Sequence, residues 1–514
     1  MFSLVSCSAM AGVAEWVCCP GELNAPLYRA LADCPVVHRW TVADDRAAAF
    51  FALGRVQATA RPVIVVAGSG SSAAAMAPAV VDAYYQRRPL VVLTMDTPTG
   101  SGGTGAPQSV EQEALFGMYA PTLELNLPCP VSDLPNLVEA LGDGFPLHLH
   151  VRLDAEAEPP YSDFSAVEVG DAPPAPRFRG SLVAVSQMLR FRSMEGLVLL
   201  IGGLNPDEQE PVLWLAQTLR VPVLAEASSG LREELAPYLL HGGDELLRQN
   251  PPRFVLRVGD VPTGPFWKAL EDMPQTEVFS ITRTGFSGLS RKSNVVEGEL
   301  EQVMKALGDV PTVGDTERLL PRSRHTAGRM EELLLGYPES AEAMVRAFSR
   351  FACLAEVICV GSATTTRLWN RYAQCQVPTL YLRDLHTTGT DGVLSTFLGN
   401  AADASHACCL IGDLTLLRDL TAAAIVPQLP PGKRIVAVLN NEGAAAAQHA
   451  AANDPELERL LVQPQPFRMQ EVARLWGAEY HAIYSEGDLE LLDSTGTGFQ
   501  YSLGLLAGWI SRER

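Results

Sequence analysis

The sequence predicts an α/β protein built from three doubly wound parallel-sheet domains. Three observations predict it. Short β-branched runs such as "RPVIVVAG" and "PLVVLTMD" alternate with helical stretches such as "AAAMAPAVVDAYYQ", a pattern that means βαβ units around a parallel sheet. The alternation comes in three blocks separated by stretches of different composition. The chain has 514 residues, 47% hydrophobic and 19% charged, enough for several cores at roughly 150 residues per domain.

The first block spans 1–155. The segment 156–180, "EAEPPYSDFSAVEVGDAPPAPRFRG", is rich in Pro and acids and is expected to be an exposed linker. The second block spans 181–310. It contains "GLVLLIGG", then "NPDEQEPVLWLAQTLRVPVLAEA", where Asn205 can cap a helix that has Pro206 at its first position. The strand "RFVLRVGD" follows. A less regular stretch, expected as a second linker, covers 311–345. The third block, 346–514, holds "EVICVGSATTTRLWNRYA", "LTLLRDLTAAAIV" and "KRIVAVLNNEG".

Charge and cysteine usage exclude some functions. A net charge of −20 argues against nucleic acid or an anionic membrane as the main partner. The ten cysteines form no C-x-x-C and read as buried thiols in a reducing compartment. The start, "MFSLVSCSAMAGVAEWVCC", lacks a basic region, and no apolar run approaches the ~18 residues of a membrane span. The expectation is a cytoplasmic protein without a membrane span.

One motif is weak. Gly68-x-Gly70-x-x-Ala73 follows a strand, as in dinucleotide-binding turns. The next strand-end acid, Asp96, lies too far along for a ribose contact, so the motif reads as a tight turn that lines another site.

The stronger constellation lies in the third block. Gly412-Asp413 ends the apolar run "ACCLIG" and a helix starts at once with Thr415. Asn441 ends the next run, "RIVAVLN", and Gly443 follows. Parallel neighbours bring these strand ends together at the edge where α/β proteins bind ligands. Asp413 and Asn441 can then offer side-chain oxygens, and Gly443 its carbonyl, to one hard cation, Mg²⁺ or Mn²⁺. The N–H groups of the following helix suit a diphosphate.

With that pair the chain resembles thiamine-diphosphate (ThDP)-dependent enzymes, and within them the SEPHCHC synthases of menaquinone biosynthesis. The likeness includes "CPGELNAPL", "DDRAAAFFALG", "GAPQSVEQ", "PLHLHV", "VPVLAEASSGLR", "VGSATTTRL", "GTDGVLSTFLGNA", "GDLTLLRDL" and "LNNEG". It implies a pyrimidine-binding, a central and a diphosphate-binding domain. It also implies a homodimer or homotetramer, with each cofactor held between the first domain of one subunit and the third of another. The implied reaction decarboxylates the 2-oxoacid 2-oxoglutarate and joins the remaining fragment to isochorismate, both small molecules.

The resemblance also assigns residues. Asp45 falls where the family has a Glu that hydrogen-bonds the aminopyrimidine ring, and Asp44 is left to cap the helix "RAAAFFALG". Gln108 and Arg367 match active-site positions. Ser362, Ala363, Thr364, Gly389, Thr390, Gly412, Asp413, Leu414, Thr415, Leu416, Asn441 and Ala446 match the cofactor pocket, and Asp413, Asn441 and Gly443 the metal. Asp45 is one methylene shorter than the family's Glu. Leu23, Thr97 and Leu385 stand where the family carries arginines for its dicarboxylate acceptor, with Arg383 and His386 nearby and Arg283 and Arg291 in the central block. These departures leave open a different acceptor, or a homologue with impaired catalysis and a non-enzymatic role.

Overall fold

A computed structural model describes residues 1–68, 70–96, 104–106, 109–129, 131–153, 164–172, 179–314, 317–361, 364–375, 381–382, 389–441, 443–444, 451, 454–464, 467–489 and 502–507. Of the expected site residues, Gln108, Ser362, Ala363 and Ala446 lie outside these, as do Thr97, Arg383, Leu385 and His386.

Among the described residues there are three sheets, and every strand pair in them is parallel. The first sheet contains β1 (Glu15–Cys18), β2 (His38–Thr41), β3 (Val63–Val66), β4 (Leu90–Asp96), β5 (Thr122–Leu127) and β6 (Leu147–Leu153) in the order β2-β1-β3-β4-β6-β5. The second contains β7 (Leu197–Ile201), β8 (Val223–Ala225), β9 (Phe254–Val258), β10 (Glu277–Thr282) and β11 (Asn294–Glu297) in the order β11-β10-β9-β7-β8. The third contains β12 (Val357–Val360), β13 (Tyr381–Leu382), β14 (His406–Gly412), β15 (Lys433–Leu439), β16 (Tyr480–Ala482) and β17 (Ser502–Ala507) in the order β13-β12-β14-β15-β17-β16. The first and third sheets therefore share one topology. Central strands such as β3, β7 and β9 are buried along their whole length, which explains their unbroken apolar sequence. This is the parallel α/β class that the sequence predicts.

Contacts divide the chain into two compact units. One holds Met1–Pro176, Thr387–Asp403 and Thr415–Pro430, and the other Arg177–His386, Ala404–Leu414 and Pro431–Arg514. The first unit is centred on the first sheet and on the helix Asp45–Thr59, in which every residue from Ala47 to Val56 is buried. Against it packs the helix Val393–Asn400. The two helices cross at glycines: a Cβ on Gly54 would stand 2.2 Å from the Thr396 carbonyl oxygen, and one on Gly399 2.2 Å from that of Phe51. The small-residue composition of "AAAFFALG" is thus the signature of close helix packing, not of an amphipathic surface helix.

In the second unit the Asn205 cap forms as expected. It makes a capping box with Glu208, and Pro206 opens the helix Pro206–Leu219.

Two expectations are corrected. The stretch 311–345 is not irregular, since it contains the helix Leu320–Gly336 and the start of Ala341–Ala352. Pro321 sits in the first turn, where its missing N–H costs nothing, and Leu319 and Leu320 anchor that end in the core beside the second sheet. The described part of 156–180 is not a free linker either. Phe164 is buried with its ring 4.6 Å from that of Phe2, and Gly170 donates its N–H to the Ala9 carbonyl at 2.9 Å. Apolar residues spaced among the acids gave the segment a way to dock.

Candidate active site

Asp44 and Asp45 open the buried helix of the first unit and do different things. The Asp44 carboxylate accepts from the Ala47 N–H at 2.9 Å as the N-cap. Asp45, half-buried in the first helical turn, turns toward the ends of β1 and β3. Its Oδ1 accepts the Gly68 N–H at 2.7 Å. Gly68 belongs to the turn that the sequence flagged as a weak dinucleotide motif. A Cβ there would stand 2.9 Å from Ser72 Oγ and 3.0 Å from the Pro20 carbonyl, so the turn is packed tightly around the acid. Nearby, Asn24 Nδ2 donates to the Ala67 carbonyl at 2.8 Å and to Tyr28 Oη at 3.2 Å, and Tyr28 Oη donates to the Cys19 carbonyl. Burial, then the Asp45 carboxylate, push the Cys19 thiol well above its ordinary range, so it stays protonated and can donate to Asp45.

The residue after Asp45 makes contacts that sequence reasoning missed. Arg46 pairs with Asp391 and donates to the Arg418 carbonyl, and its second arm lies 3.7 Å from Asp419. Asp419 is fully buried and accepts from Ser395 N at 2.7 Å and Ser395 Oγ at 2.9 Å. Burial pushes its carboxyl up, an effect opposed by those hydrogen bonds and by Arg46. Arg46 thereby ties the Asp45 helix to the turn that carries Gly389 and Thr390, both half-buried, with Gly389 at φ +67°. The only sequence signal was a basic residue beside the acid pair.

In the second unit, β14 and β15 pair so that Gly412 lies beside Leu439. Their ends deliver Asp413 and Asn441 to one place. Asp413 is 2% exposed, and its Oδ2 accepts the Gly443 N–H at 2.7 Å. One terminal atom of the Asn441 amide lies 3.2 Å from Asp413 Oδ1 and 2.7 Å from the Gly443 carbonyl oxygen. With nitrogen in that place the amide donates to both; with oxygen in it, three oxygens converge, as they would around a cation. Gly443 has φ +116°, and a Cβ on it would meet the Val462 carbonyl at 2.3 Å, so only glycine fits there. These donors are oxygens of a carboxylate, an amide and a backbone carbonyl, a set that fits Mg²⁺. Among the described residues no cluster of three His, Cys, Asp or Glu side chains offers another metal site.

The remaining expected residues divide between the units. Leu414, half-buried, lies in the second unit, while the buried Thr415 and Leu416 are assigned to the first. All three lie in the helix Asp413–Arg418, which begins at the acid itself. Thr364 and Arg367 lie on the second-unit helix Thr364–Tyr372. Arg367 is exposed and donates to Thr364 Oγ1 at 3.3 Å, while Thr365 and Thr366 both donate to the Gly361 carbonyl at 2.5 Å. Among the expected arginine replacements, Leu23 packs against the core of the first sheet.

Comparison with known proteins places the chain among thiamine-diphosphate enzymes. Residues 3–115 match the family model of the thiamine pyrophosphate enzyme N-terminal TPP binding domain. A 2-succinyl-5-enolpyruvyl-6-hydroxy-3-cyclohexene-1-carboxylate synthase of Akkermansia muciniphila is 46% identical over 96% of this chain and 93% of its own length. Synthases of the same name from Bdellovibrio bacteriovorus and Synechococcus elongatus are each 28% identical, over 94% and 93% of this chain and 92% and 88% of their own lengths. With that identity along nearly its full length, the chain belongs to the family of 2-succinyl-5-enolpyruvyl-6-hydroxy-3-cyclohexene-1-carboxylate synthases.

Proposed function

We infer that the protein is a ThDP- and Mg²⁺-dependent carboligase that decarboxylates 2-oxoglutarate and joins the remaining fragment to isochorismate, as in menaquinone biosynthesis. The observation that carries this reading is the convergence of Asp413, Asn441 and Gly443 at two paired strand ends in a member of this family. Bound ThDP supplies the electron sink that decarboxylation of a 2-oxoacid needs.

The protein's own residues hold and orient it. Asp413 would contribute a negative charge, Asn441 an amide oxygen and Gly443 a carbonyl to the cation, which would offset the charge of the diphosphate. Thr364, Gly389, Thr390, Gly412, Leu414, Thr415 and Leu416, with Ser362, Ala363 and Ala446, line the cofactor. Asp45, whose Oδ1 accepts the Gly68 N–H, would hydrogen-bond the aminopyrimidine ring of bound ThDP, and a half-buried carboxylate there would make a charge-assisted bond. Gln108 and Arg367 contact substrate, and the Arg367 guanidinium suits a carboxylate.

The division into pyrimidine-binding (1–155), central (181–310) and diphosphate-binding (346–514) domains is part of the proposal. So is a homodimer or homotetramer in which each cofactor site joins two subunits. No described helix is long and apolar enough to cross a membrane, and we place the enzyme in the cytoplasm.

The test is CO₂ release from 2-oxoglutarate with ThDP and Mg²⁺, with and without isochorismate. Turnover that requires isochorismate supports the reading. Turnover indifferent to it points to another acceptor, the alternative that Leu23, Thr97 and Leu385 favour. A protein that neither turns over nor is stabilised by ThDP and Mg²⁺ sinks the enzymatic reading.

A further inference from the structure

The helix Asp45–Thr59 carries an arginine near each end, and the two ends are built differently. Near the far end, Arg55 is 3% exposed. Its Nε and Nη2 donate to the two oxygens of the buried Glu15 at 2.8 and 2.6 Å, and its Nη1 donates to the Gly399 carbonyl at 3.1 Å. Asp403 lies 2.8 Å from it. Glu15 also accepts from Trp40 Nε1 at 2.7 Å. Buried groups that satisfy one another in this way hold a fold together.

Arg46, beside Asp45 in the first turn, faces different partners. Asp391 is the residue after Thr390, and Arg418 ends the helix that carries Thr415 and Leu416. Asp419 is fully buried, and both of its oxygens already accept from Ser395. One guanidinium therefore meets two acids and a carbonyl from two separate segments, each next to residues assigned to the cofactor pocket. The planar fork of an arginine can bridge such a set, while the single ammonium of a lysine cannot reach all of it. The turn with Asp391 also lies directly on the helix: a Cβ on Gly392 would stand 2.0 Å from the Phe50 ring.

A helix's first turn is its least constrained part, because its N–H groups have no partners within the helix. Here the Asp44 cap and the Gly68 N–H hold the turn from one side, and Arg46 holds it from the other.

We propose that Arg46 is a positioning residue for Asp45: by bridging Asp391 and Asp419 it fixes the first helical turn, and so the Asp45 carboxylate, at the place where that carboxylate meets the aminopyrimidine ring of ThDP. The inference rests on the ThDP reading above. Arg46 itself touches neither cofactor nor substrate in this account. Its effect on them passes through Asp45.

The experiment is calorimetric titration of the full-length protein, at saturating Mg²⁺, with two probes: ThDP, and inorganic pyrophosphate, which has the diphosphate without the ring. Arg46→Gln should weaken ThDP about tenfold, the scale of one charged hydrogen bond, and pyrophosphate less than about twofold. Arg46→Lys should recover part of the ThDP affinity. At saturating ThDP, kcat for CO₂ release by Arg46→Gln should fall on the order of 10²-fold, with the KM for 2-oxoglutarate within about twofold of wild type. Arg46→Gln leaves Asp419 without the cation that faces it, so the double variant Arg46→Gln/Asp419→Asn keeps the test valid where the single one folds poorly. It should show the same ThDP loss. Wild-type ThDP affinity in a folded variant would overturn the positioning role and leave Arg46 a residue of stability alone. Equal weakening of ThDP and pyrophosphate would overturn the link to Asp45, since the diphosphate half would then be what moved. A wild-type protein that binds neither probe would sink the cofactor reading itself, and that result is read before any variant is made.

Discussion

The backbone N–H of Gly68 donates to Oδ1 of Asp45 at 2.7 Å. This bond fixes how the shorter acid is used. A family Glu would reach about one methylene further, so Asp45 looked one carbon short. The turn after β3 is closely packed around the carboxylate, with Ser72 and the Pro20 carbonyl against Gly68. The turn after β3 closes around the Asp45 carboxylate.

Asp45→Glu should therefore lower activity, not raise it. The longer side chain must give up the Gly68 bond or carry its carboxylate ~1 Å off, a misplacement that costs on the order of 10²-fold in rate. The measurement is kcat for CO₂ release beside Tm. Activity at or above wild type would show that Asp45 falls short of its partner.

Asp413→Asn separates metal binding from loop structure. The amide oxygen can still accept the Gly443 N–H, so the turn after β15 should hold and the Tm without ligands should change little. The charge on the cation is lost, and at ~1.5–3 kcal/mol for a charged ligand Mg²⁺ should bind roughly tenfold to a hundredfold more weakly. Titration of the Mg²⁺-dependent Tm rise, at fixed ThDP, reads this. An unchanged Mg²⁺ midpoint would remove Asp413 from the metal site.

The convergence of Asp413, Asn441 and Gly443 was legible because it is local to strand ends. An apolar run, then Gly412-Asp413, then a second run ending at Asn441, already dictates a shared edge. The Asp44 cap and the Asn205 capping box were legible for the same reason. What was not legible depends on partners distant in sequence. Arg46 meets Asp391 and Asp419 across more than 340 residues. Gly54 and Gly399 announce a helix crossing only once both helices are placed. The helix Leu320–Gly336 was hidden because it is mostly exposed, with only Leu320 and Ser323 buried, so it has no strong apolar period to read.

The helix crossing gives a stability prediction with an internal control. Gly54→Ala drives a Cβ to 2.2 Å from the Thr396 carbonyl, and backbone must move. Overpacking of this kind costs about 1–3 kcal/mol and should lower Tm by several degrees. Gly328, inside the Leu320–Gly336 helix, has nothing within 4 Å of an added Cβ, so Gly328→Ala should be neutral or stabilising by up to about 1 kcal/mol. Equal Tm values for the two variants would mean that the helices are not in close contact.

Glu226 gives a stability prediction that depends on pH. Burial, against the hydrogen bonds from Thr263, raises its carboxyl from 4.5 to about 7, with Asp244 and Asp260 adding to the rise. Between those values the folded chain holds a proton that the unfolded chain has lost. Stability from this group therefore falls as pH rises from about 4.5 to 7 and is flat above. The full cost at alkaline pH is on the order of 3 kcal/mol. Glu226→Gln keeps an oxygen for the Thr263 N–H and hydroxyl but cannot ionise. Near pH 8 the variant should be more stable than wild type by ~1–3 kcal/mol, and below about pH 5 the difference should vanish because the wild-type carboxyl is then neutral too. Urea unfolding at the two pH values measures it. A gain that is the same at both would assign the effect to packing, and a loss near pH 8 would mean that the ionised carboxylate has a cationic partner in the folded protein.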